Sequence, residues 1–422
     1  MDAHISLFDF DYLTARASKC ETNHFHIIIE EKLRWPFFWN KKRVKGLFMH
    51  EYIHYYQHLS TLCGISLSMN YNKLFRAYRQ YFEQHEKIKI PLRPTEVDQS
   101  VSKFFMYFNN IKGTREYGNR IDQVRLDQNA IASARNNRTA VPVLTYNQET
   151  NQWSANEPLL VGYYAIVESM ADMIQRQYDP AVNHNDVPYQ VVKRVCEAVY
   201  SEISTDPKRM ISLCLLALMD SNPGVGLFDA IHYAKEHPEY NGYDLYKHYV
   251  EEKEIHLPSG EVLSIAELYN RRLEDYKKVL KVVFNNQTSY FEAAINNAII
   301  VANSGNNQLL ALLYDRRIGK NRYVRKLSDI YGYPFIESNN ISLWPGGKRN
   351  IDVAAAIGFE LLLKRFSSQQ STDCLMSQIC RRNNKFEYDC LFNQWNHQGN
   401  CPFTAALHFF NLRGKIIEWE DS

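Results

Sequence analysis

The sequence predicts a mainly α protein of the α+β class, with a small β element near its N-terminus and a large helical remainder. Three observations carry this. Apolar residues recur three and four apart through most of the chain beyond residue 158. Short β-prone runs are confined to residues 24–30 and 140–153. No fixed-period repeat occurs, which argues against a solenoid.

Taken in order, HFHIIIE (24–30) reads as a short strand on which His24 and His26 alternate with Phe25 and Ile27. Two histidines there would share one face, read as an exposed strand face rather than a cleft lining. The next element starts near Lys45 and runs through GLFMHEYIHYYQHLSTL. It has helical length, no internal proline, and Gly64 placed as a C-cap. Helical spacing returns over 66–88 and 97–111. The stretch from 113 to 157 is polar and the least helical part, with AVPVLTYNQETNQW predicted as a β-hairpin. PLLVGYYAIVESMADMIQRQ then reads as a helix opening on Pro158 in its first turn. Further helices are expected near 188–203, 207–220, 225–236, 263–284, 289–303 and 306–315, and over DVAAAIGFELLLKRF. These breaks suggest four parts: 1–112, an insertion over 113–157, a helical domain over 158–366, and a cysteine-rich segment over 367–422.

With 422 residues, a net charge of +2 and 23% charged residues, a surface wholly devoted to polyanions is excluded. The N-terminus carries acidic residues and no uninterrupted apolar core, and ISLCLLALM (211–219) is too short to span a bilayer. The expectation is a cytoplasmic protein with no membrane partner. Its eight cysteines then read as thiols or metal ligands. Cys196 and Cys214 fall in apolar helical patterns, where core packing explains them.

The chemistry is concentrated in His50-Glu51-Tyr52-Ile53-His54, an HExxH motif. On a helix, residues i and i+4 stand one turn apart on one face, so both imidazoles can grip one ion. Glu51, beside the first of them, can reach a water activated by that ion and take its proton. A third ligand is needed. Glu168, Asp172 and Gln175 share one face of an otherwise apolar helix, and a buried carboxylate pair is costly unless it is paired or bound to metal. Glu168 is therefore the candidate third ligand, against the alternative of a solvated stripe. His58, two turns beyond His50, is a rival ligand or an outer histidine packed in the core.

An HExxH helix followed by an ExxxD helix resembles the gluzincin class of zinc metallopeptidases. That resemblance implies a zincin-like core, Glu168 as third zinc ligand, and Asp172 as an outer carboxylate orienting one zinc histidine. The long segment between the two helices would then be an inserted lobe. The expected activity is hydrolysis of a peptide or protein substrate, with Glu51 as general base. A zinc hydrolase acting on a non-peptide amide or ester is the alternative, as is a non-catalytic, zinc-stabilised binding scaffold. None of the 28 tyrosines is singled out as the donor to a developing oxyanion.

Two further clusters are candidates. Cys374, Cys380, Cys390 and Cys401 lack CxxC spacing and read as unconnected buried thiols, with a second, structural zinc as the alternative. Arg316, Arg317, Lys320, Arg322, Arg325, Lys326, Lys348 and Arg349 form a basic stretch, read as a solvated face with nucleic acid as the alternative partner.

Overall fold

Helices dominate the structure, as the apolar periodicity predicts. The computed structural model describes residues 19–21, 26–34, 40–90, 99–116, 120–154, 157–284, 288–315, 322–343, 356–359, 362 and 402–419. In chain order the elements begin with β1 (Lys19–Glu21), β2 (His26–Ile29), α1 (Lys42–Ser60), α2 (Leu62–Gln84), β3 (Lys87–Ile90) and α3 (Gln99–Ile111). The middle of the chain adds β4 (Gln123–Arg125), α4 (Gln128–Asn137), β5 (Val141–Asn147), β6 (Gln152–Trp153), β7 (Leu159–Val161) and α5 (Tyr163–Tyr178). Then come α6 (Asp186–Tyr189), α7 (Val191–Val199), α8 (Pro207–Ala217), α9 (Pro223–Glu236), α10 (Gly242–Glu252), β8 (Glu254–His256) and β9 (Val262–Ser264). The rest is α11 (Ile265–Val283), α12 (Ser289–Asn303), α13 (Gln308–Tyr314), α14 (Tyr323–Tyr331), β10 (Phe335–Ser338), β11 (Ser342–Leu343), α15 (Pro402–Phe409) and β12 (Ile416–Trp419).

The sheets are small. The largest joins distant parts of the chain in the order β1-β2-β10-β11, with β2 and β10 parallel and Phe335 opposite His26. β5 pairs β4, β6 and β7, and β5–β6 is the hairpin expected from residues 140–153.

Three boundaries depart from the sequence reading. Gly64 does not cap α1. That helix stops at Thr61, which is extended and whose hydroxyl oxygen caps α2 by accepting from Gly64 N. Gly64 is needed for close approach, because a Cβ there would stand 2.3 Å from Gln57 O. Leu159–Val161 is a strand rather than a first helical turn, since Val141–Val143 offers it a pairing edge, and α5 begins after Gly162. The polar stretch also holds a helix, α4, started by Asp127 accepting from Asn129 N. α10, begun by Asn241, and α14 were not anticipated.

The element that positions the site is the antiparallel pair α1 and α5, the most extensive helix contact described. Gly46 near the start of α1 lies against Gln175 and Asp179 at the end of α5, whereas Gln57 near the end of α1 donates to Val167 O. α1 is buried almost all round, with Phe48, Met49, Tyr52, Ile53, Tyr55 and Tyr56 in the core. Its phenols are satisfied at distant carbonyls: Tyr52 donates to Gly332 O and Tyr55 to Tyr331 O, which fixes α14 against its far side. β1 and β2 also pack on α1. Among the described residues, no helix is long and apolar enough to cross a membrane.

Candidate metal centre

On α1, His50 and His54 stand one turn apart with their rings 4.9 Å centre to centre and nearly perpendicular. Facing them from α5, Glu168 Oε2 lies 3.0 Å from His50 Nε2 and 3.4 Å from His54 Nε2. The three ligand atoms lie within 4.8 Å of one another, so the group could hold a metal ion. A tetrahedral shell with zinc–ligand bonds of about 2.0–2.1 Å puts neighbouring donor atoms about 3.3 Å apart, which the two measured separations bracket.

The tautomer of His54 also fits a ligand. Gln57 Nε2 donates to Val167 O, which turns its Oε1 toward His54 and leaves it accepting from His54 Nδ1–H at 2.9 Å. In the neutral ring the lone pair of His54 therefore falls on Nε2, the atom that faces Glu168. Nothing among the described residues bonds His50 Nδ1.

Electrostatically the three groups form a buried charge cluster. Burial alone pulls the His54 ring down, but the adjacent Glu168 carboxylate and its hydrogen bond outweigh this and raise it to about 9. Burial pushes Glu168 up, and His54 and His50 together hold it well below the usual carboxylate range. Side-chain exposure is 7% for His50, 12% for His54 and 21% for Glu168, so the carboxylate from α5 is the most accessible of the three. Glu51 is buried beside them, within charge reach of His54.

The other sequence candidates fall as follows. Glu168, Asp172 and Gln175 are not a solvated stripe; Asp172 is 1% exposed and Gln175 3%. Asp172 does not orient His50 or His54. Its oxygens accept from Arg176 Nε at 2.7 Å, His184 Nδ1 at 2.9 Å and Gln190 Nε2 at 2.8 Å, while His54 Nδ1 is held by Gln57. His58 lies outside the ligand group, buried, and is pulled down to about 3 by burial and then by the charge on His54, so it is neutral. His26 is buried rather than on an exposed face, packed on Phe335 with its Nε2 3.3 Å from Glu337 Oε2, because β10 pairs alongside and covers it. His24 lies outside the described residues, as do Cys374, Cys380, Cys390 and Cys401 and the basic residues Arg316, Arg317, Lys320, Lys348 and Arg349. Arg322, Arg325 and Lys326 are exposed, and Cys196 and Cys214 are buried thiols.

Two site residues were not foreseen. His184 and Tyr189, on the segment between α5 and α7, stack on each other at 4.2 Å and lie 5.9 and 6.0 Å from the His50 ring. Burial, and then the carboxylates of Glu168 and Glu51, hold the Tyr189 phenol above its ordinary range, so it keeps its proton. Neither residue belongs to a spaced motif. The one sequence signal was Asp172, a buried acid on the ligand helix that had to find donors. Comparison with family models, with curated proteins and with solved structures finds no match to this chain.

Proposed function

We propose that this protein is a zinc-dependent metallopeptidase of zincin-like architecture. The observation that carries the reading is the convergence of His50 Nε2, His54 Nε2 and Glu168 Oε2 at one point, with the HExxH glutamate buried beside them. The small sheet packed on the motif helix supports the zincin-like architecture.

His50, His54 and Glu168 hold the ion. Zinc, when bound, supplies Lewis acidity at a substrate carbonyl and lowers the pKa of water. Glu51 takes the proton as water attacks the carbonyl carbon, and returns it to the amine as the C–N bond breaks. Tyr189, still protonated, is the donor assigned to the oxyanion that develops on the carbonyl oxygen. The greater exposure of Glu168, 21% against 7% for His50, supports an approach of substrate from the α5 side.

The test pairs metal analysis with a peptide library, using wild type and Glu51→Gln. The expected result is about one zinc per chain in both proteins and cleavage by wild type alone, with kcat in the variant lower by about 10²–10⁴-fold. No zinc after reconstitution, or an unimpaired Glu51→Gln enzyme, would overturn the reading.

A further inference from the structure

Burying a carboxylate is costly unless its oxygens are well bonded, so the partners of a buried aspartate show what it is for. Asp172 Oδ1 accepts from His184 Nδ1; its Oδ2 accepts from Arg176 Nε and Gln190 Nε2. Arg176 is one turn along the same helix, but His184 and Gln190 lie on the segment that follows α5. Ser169, three residues before Asp172, grips the same segment: its hydroxyl donates to Pro188 O at 3.0 Å and accepts from Val192 N at 3.3 Å. From the outer side, Asp186 accepts from Ile121 N at 2.9 Å. One face of α5 is thus occupied in holding residues 184–192, and within that span His184 and Tyr189 stand against the His50 ring.

An ionised carboxylate only accepts, so the bond to Asp172 puts a proton on His184 Nδ1. In the neutral ring Nε2 is then an acceptor, the same state that Gln57 imposes on His54.

We infer that Asp172 is a positioning residue for the substrate-facing wall of the metal centre: it pins the 184–190 segment, and with it His184 and Tyr189, instead of orienting a metal-ligating histidine. The word substrate rests on the function proposed above; the pinning does not. The role differs from the one that the ExxxD spacing implies, because both oxygens of Asp172 are taken by other donors.

The test compares Asp172→Asn and Gln57→Ala in the full chain by zinc titration and by hydrogen exchange over residues 180–190. In Asp172→Asn the segment should exchange at least about tenfold faster, while zinc affinity changes by less than about threefold. Gln57→Ala should do the reverse, weakening zinc by about 10–100-fold, the usual cost of losing an outer partner of a ligand. On any peptide the wild type cleaves, Asp172→Asn and His184→Ala should lose kcat/KM to a similar degree, and the double variant little more. Should Asp172→Asn fail to fold, Gln190→Ala removes one strand of the clamp from the segment side and is expected to loosen the same residues. Zinc loss in Asp172→Asn as large as in Gln57→Ala, or unchanged exchange over 180–190, would overturn the assignment. A wild type that binds no zinc would remove the proposed function and still leave the exchange measurement to decide the clamp.

Discussion

The two walls of the candidate metal centre are built by opposite means. On α1, His54 is oriented by Gln57, three residues away on the same helix. Across the site, His184 is oriented by Asp172, twelve residues away and across the end of a helix. The chemistry is alike, a ring Nδ1–H given to a buried oxygen, but the first pair is carried by helical geometry and the second by a loop that tertiary bonds must hold. Helical geometry costs the chain little beyond the helix itself, whereas ordering a loop costs backbone entropy that buried hydrogen bonds have to offset. The α1 wall should therefore be rigid and serve the metal, and the loop wall adjustable and serve what binds there.

Removing Glu168 tests that division most severely. Glu168→Ala takes the third donor from the ligand group and leaves His54 without the carboxylate that holds its charge. Zinc affinity should fall by more than the about 100-fold that loss of an outer partner causes, and activity should go with it. Zinc binding as tight as in wild type would mean that the two helices do not meet at the metal.

On the opposite wall, Tyr189→Phe should leave zinc content untouched and lower kcat by about 10²–10³-fold, as removal of an oxyanion donor does. The readout is kcat beside metal stoichiometry on the same preparation. Loss of zinc in this variant would mean that the loop wall also builds the metal site, and the comparison would break.

How much of this was legible follows the same line. His50, Glu51 and His54 were readable because the i, i+4 rule places them without knowledge of the fold. Glu168 was readable because a carboxylate on an apolar helix face needs a reason to be there. The burial of His26 was not, since it depends on β10 arriving from more than 300 residues away. Nor were Tyr189 and His184, whose place is set by bonds to Asp172, Ser169 and Ile121 rather than by any period. The same limit explains the strand Leu159–Val161, whose apolar run fits a helix or a strand until Val141–Val143 decides.

The smallest effect belongs to protons rather than side chains, and it is read on protein freed of metal by a chelator. The His54 ring rises from an ordinary 6.5 to about 9 because, against the pull of burial, Glu168 favours its charged form. A raised folded value means that this stabilisation is complete below about pH 6.5 and is lost as pH climbs through about 9. Glu168 is depressed, so its contribution is present above its ordinary 4.5 and is lost as pH falls through its lower folded value. The melting temperature of the metal-free protein should thus plateau between about pH 4.5 and 6.5 and decline toward about pH 9. Zinc needs the neutral ring at His54, so it displaces the proton, and the part of that decline due to His54 should disappear once the metal is restored. Melting curves with chelator and with zinc, across that range, separate the two states. A metal-free protein whose stability stays flat from about pH 6.5 to 9 would mean that His54 and Glu168 are not charged against each other. The rigid wall would then owe its geometry to packing around Gln57 alone.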